Sequence, residues 1–113
     1  MRRKKKIKCL LQFGKNLKKI RLKVGISQEK LSILVGVHRT TIGELERGDQ
    51  NPSLINLTKL AGVLNVTLAE LLEGVEGEKM SQQQIQKRLN NHLKNIMKEV
   101  EIGYSRITTP QSF

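Results

Sequence analysis

At 113 residues the chain has room for one compact domain and an appendage. Hydrophobic residues are 37% of it and aromatics 3%, which allows a small core and argues against a stacking platform for single-stranded nucleic acid. The net charge of +11 and pI near 10.2 favour polyanionic partners: DNA, RNA or an anionic membrane surface.

The single cysteine, Cys9, excludes an internal disulfide and leaves no zinc site, because structural zinc takes four Cys or His ligands. No metal and no other cofactor is expected, and a reducing cytoplasm is the natural compartment. No apolar run approaches the ~20 residues of a transmembrane helix. The start, MRRKKKIKCLLQF, has a signal-like basic region, but Lys8 and Gln12 break its apolar part.

Residues 1–8 read as a mobile basic arm, either a solubilising tail or a segment that tracks phosphates. Charge is concentrated at this end. Residues 1–24 hold eleven Lys/Arg and no acid, whereas residues 25–74 hold four bases against six acids. From about Leu10 to Lys23 the spacing of Phe13, Leu17 and Ile20 predicts a first helix, broken at Val24-Gly25-Ile26. Residues 27–48, SQEKLSILVGVHRTTIGELERG, are the stretch around which the chain is organised. Ser27 is a good N-cap for a helix over Gln28–Val35, whose inward face is read as Leu31, Leu34 and Val35. Gly36 suits the left-handed exit. A second short helix, Arg39–Arg47, starts at His38 and ends at Gly48. Ile42 and Leu45 point inward, so Arg39, Thr40, Gly43 and Glu44 are expected to point outward, with Thr41 beside them. Two helices joined by three or four residues with a glycine form a helix-turn-helix, whose second helix can enter a DNA major groove. On that face Arg39 can donate twice to a guanine, Thr40 can bond a base or touch a thymine methyl, and Glu44 can accept from cytosine. Thr41 is better placed for a phosphate. A metal role for His38 has no support, because His92 is distant and no Cys or Asp cluster joins them.

Asp49-Gln50-Asn51-Pro52-Ser53 is a turn by composition. Ser53 caps a helix to about Leu64, with Leu57, Leu60, Ala61 and Leu64 inward and Asn65 as left-handed cap. Thr67-Leu68-Ala69-Glu70 is a capping box for a short helix through Leu72, ended by Gly74. Residues 75–80 read as a linker. Ser81 to Gln84 is a second capping box, leading an amphipathic helix over 81–103 stopped by Gly103, with a loose tail over 104–113. Its stripe of Ile85, Leu89, Leu93, Ile96, Met97 and Val100 must be buried somewhere. It can pack against the domain or pair with a second subunit through Leu89, Leu93, Ile96 and Val100, and subunit pairing is favoured.

The run Gln28-Glu29-Lys30-Leu31, Gly36-Val37, Ile42 and Leu45-Glu46-Arg47-Gly48 resembles the lambda-repressor/Cro (Xre-type) helix-turn-helix family, and the similarity extends from about Phe13 to about Gly74. The resemblance implies an all-α fold: a five-helix DNA-binding domain over 9–74, here followed by the amphipathic helix. It implies phosphate contacts at Gln28, Arg47 and Asn51, and an ion pair of Arg21 with Glu46. Ser32 stands where the family usually packs an alanine, and Glu44 where a neutral or basic residue is frequent.

No phosphate-cradling loop, paired carboxylate or activated nucleophile is visible, so an enzyme is not expected. The favoured reading is a dimeric, sequence-specific regulator of transcription that binds double-stranded DNA, most simply a repressor. The alternative is a protein-interaction module of antitoxin type, binding a second protein through the C-terminal helix and DNA secondarily. A third is a nonspecific polyanion or membrane-surface binder acting through residues 1–24. A membrane partner is not expected.

Overall fold

Helix ends in this chain are set by small caps. In the computed structural model, which describes residues 6–107 and side chains to residue 102, the helices are α1 (Lys8–Val24), α2 (Gln28–Val35), α3 (Arg39–Arg47), α4 (Leu54–Leu64), α5 (Leu68–Leu71) and α6 (Gln82–Ile107), and such caps mark many of their ends. Ser27, Ser53 and Thr67 each accept from the backbone N–H three residues on, at 3.0 Å. Gly36 and Gly48 leave their helices at φ +84° and +76°, where a Cβ would be strained. Asn65 does the same at φ 56°, as one of the few side chains that tolerate it. His38 occupies the N-cap of α3 without a side-chain cap bond. Only the hydroxyl half of the Thr67 box forms among the described residues, while both halves form between Ser81 and Gln84.

The chain divides into two compact units, Met1–Gly77 and Glu78–Phe113. The first unit holds α1–α5 around a core of Phe13 and Leu17 (α1), Leu31 and Val35 (α2), Ile42 and Leu45 (α3), Leu60, Ala61 and Leu64 (α4) and Leu71 (α5). Each large side chain fully buried there is worth ~1.5–3 kcal/mol. α1 crosses the end of α3 closely enough to require glycine. A Cβ on Gly14 would stand 2.5 Å from the Glu46 carbonyl oxygen and 2.6 Å from that of Leu45. Asn16 then ties α1 to the end of α5, donating to the carbonyls of Leu71 at 3.0 Å and Glu73 at 2.7 Å.

Several expectations need correction. Leu34 does not face the core; it is 54% exposed. The inward arc of α2 is Leu31, Ser32 and Val35, and Leu34 falls on its far side. Ser32 fills the place expected for an alanine because its Oγ donates to the Glu29 carbonyl at 2.5 Å, so the hydroxyl is buried with a partner. α1 begins at Lys8, so the expected arm over 1–8 gives its last residue to the helix; residues 1–5 lie outside the described residues. α6 does not stop at Gly103 but continues to Ile107, which takes in the first part of the expected 104–113 tail; residues 108–113 lie outside the described residues. One glycine costs about 1 kcal/mol relative to alanine, too little to end a long helix. The second unit contains this helix, and its apolar stripe is exposed among the described residues.

Candidate nucleic-acid interface

α3 is clamped from behind by Ile42 and Leu45, both buried in the core. Arg39 and Thr40 are exposed on its first turn, Arg47 is exposed on its last, and Thr41 and Glu44 are half-buried between them. Asn51 is exposed in the following turn, and Gln28 is half-buried at the first position of α2. The expected base-facing residues Arg39, Thr40 and Glu44 therefore share one nine-residue helix. Gly43, expected beside them, is instead buried. The space over it is taken by the Arg47 guanidinium, whose Nη1 lies 3.1 Å from where a Cβ would sit, and by Gln28 Oε1 at 3.8 Å.

Glu46 organises the inner edge of this surface. Its carboxylate accepts from Arg21 Nε at 2.6 Å and Nη2 at 3.1 Å, and from Gln28 Nε2 at 2.9 Å. Arg21 Nη1 donates onward to the Ile26 carbonyl at 2.9 Å. With side chains only 9% and 3% exposed, Arg21 and Glu46 form a buried, bidentate pair. Donating to the Glu46 carboxylate raises the Arg21 pKa above its ordinary value, against the opposing effect of burial. The same carboxylate holds Gln28 against α3, fixing one N–H inward at the site where a phosphate contact is expected.

A second cluster closes the C-terminal end of α3. Asp49 accepts from Lys6 Nζ and, at 3.1 Å, from Arg47 Nε, while Lys6 also reaches the Arg47 carbonyl at 3.4 Å. Bonding from Lys6, then from Arg47, holds the Asp49 pKa below the usual carboxylate range. The folding contribution of Asp49 is therefore complete above the pKa of an unfolded aspartate, and is lost as pH falls through the lowered folded value. Lys6 and Asp49 are not among the sequence-derived site residues. A signal does exist in Gly48: the beginning of α1 passes so close that a Cβ there would meet Leu11 Cα and N at 3.1 Å. Lys6 and Ile7, just ahead of α1, therefore lie beside the end of α3.

A helix-turn-helix family profile matches residues 17–71. The chain is 39% identical over 69 residues to "Control protein C.MunI" of Mycoplasma sp, covering 60% of this chain and 93% of that protein. It is 44% identical over 64 residues to "Control protein C.BamHI" of Bacillus amyloliquefaciens, covering 56% and 79%. The solved structure of the restriction-modification controller protein C.AhdI from Aeromonas hydrophila superposes with a TM-score of 0.56 at 42% identity, covering 57% of this chain and 98% of that one.

Proposed function

Since the chain belongs to the helix-turn-helix family, whose members are DNA-binding regulators of transcription rather than enzymes, we propose that it acts as a homodimeric repressor of controller type on a near-palindromic operator. α3 enters the major groove, with Arg39, Thr40 and Glu44 at base edges. Gln28, Thr41, Arg47 and Asn51 bind phosphates, and the N-terminus of α2 offers its free backbone N–H groups to one of them. The two copies pair through Leu89, Leu93, Ile96 and Val100 of α6. Function divides along the chain into a basic arm ahead of α1, the DNA-binding domain to about residue 74, a linker over 75–80, the pairing helix and the tail.

The observation that carries the reading is the outer side of α3: Arg39 and Thr40 stand free in solvent on a helix whose opposite side is locked into the core. The residue-level test is selection of bound fragments from random DNA, followed by the Arg39→Ala variant. The recovered site is expected to contain two related half-sites about 10–10.5 base pairs apart. Arg39→Ala is expected to lose ~1–3 kcal/mol of discrimination at one base pair of each half-site. Unchanged specificity would remove Arg39 from base reading.

A further inference from the structure

Among the described residues, the apolar stripe of α6 is exposed, from 39% at Ile85 to 62% at Val100. At about 100° per residue, Arg88, His92 and Glu99 line one edge of that stripe, and Asn90, Met97 and Glu101 line the other. Up to residue 102 of α6, the cations Lys87, Arg88, Lys94 and Lys98 all precede the anions Glu99 and Glu101; Arg106 follows them.

Resting on the dimer reading above, we propose that two copies of α6 pair antiparallel about a two-fold axis near residues 94 and 95. Leu89 then lies against the partner's Val100, and Leu93 against the partner's Ile96. A two-fold antiparallel pair sets each edge of the stripe against the same edge of its partner. Arg88 therefore meets the partner's Glu99, and the contact occurs twice. In this register the two residues are offset by about 3 Å along the axis, at 1.5 Å of rise per residue, which an arginine spans. A parallel pair sets each edge against the opposite one. Arg88 then finds Asn90 and no acid, and Glu99 approaches the partner's Glu101. The helix is charge-complementary to itself in one direction only.

Orientation also decides how far apart the pair delivers its two linkers. Antiparallel packing about residues 94 and 95 places the two Gln82 ends about 37 Å apart along the helix axis. Parallel packing would leave them at the interaxial distance of about 8–10 Å. Recognition helices on successive major-groove faces stand about 34 Å apart. The antiparallel pair thus presents its two linkers at a separation close to one turn of DNA.

The test is sedimentation equilibrium of the full chain and four variants. Leu93→Asp is expected to abolish dimerisation. Arg88→Glu and Glu99→Arg are each expected to weaken it about tenfold, and the double swap to restore it to within about threefold. A dimer that survives Leu93→Asp, or an unmodified chain that stays monomeric, overturns helix pairing itself and the orientation with it. A dimer lost in Leu93→Asp but unchanged or tightened in Glu99→Arg leaves helix pairing standing and overturns the antiparallel direction.

Discussion

Glu46 connects the stability of the domain to the shape of its DNA-facing surface. Its carboxylate sits between an α1 arginine and the glutamine that opens α2, so one buried charge binds three helices. Removing one member leaves the other charged, desolvated and unpaired. Arg21→Ala is therefore expected to cost about 3 kcal/mol in urea unfolding. The double change Arg21→Met with Glu46→Leu should cost markedly less, because it strands neither charge. Equal losses in the two variants would place the effect in packing rather than in the pair. The Gln28 bond is not legible in the sequence. Residue type and position mark Gln28 as a polar opening residue, but only the fold reveals that Glu46, eighteen residues on, comes within 2.9 Å.

Among the elements, α3 is held by contacts that admit little adjustment. Gly14→Ala would drive a methyl into the backbone carbonyls at the end of α3, and backbone cannot rotate aside as a flexible side chain can. The variant is expected to lose about 1–3 kcal/mol of stability by thermal or urea unfolding. Wild-type stability would mean that α1 and α3 separate easily. The helix ends are legible, because Ser27, Gly36, Gly48, Ser53, Asn65 and Thr67 each answer a local backbone need that no distant contact alters. Faces are less so. Periodicity treats positions three and four residues after Leu31 alike, and only the buried Ser32 tells which side of α2 turns inward, leaving Leu34 out. Gly43 has no side chain to mark its direction, and Gly103 has the form of a terminator although the helix absorbs it.

Over the whole molecule, the basic balance of +11 implies a strong pull toward phosphate, but the structure places an acid inside the pull. Asp49 occupies Lys6 and Arg47 at the end of the recognition helix. Asp49→Asn would free both cations, so affinity for any duplex should rise at low salt. The slope of log affinity against log salt should steepen by about 0.9 for each phosphate newly engaged. An unchanged slope in fluorescence-anisotropy titrations would mean that neither cation reaches the DNA backbone. The consequence of this carboxylate reaches beyond duplex affinity. Asp49 is a tethered competitor, present at high effective concentration wherever Lys6 and Arg47 go. Inorganic phosphate or a free nucleotide must displace it one anion at a time, whereas a duplex offers many anions at once and displaces it collectively. Lys6 and Arg47 are thereby less available to small phosphates than their charge alone implies.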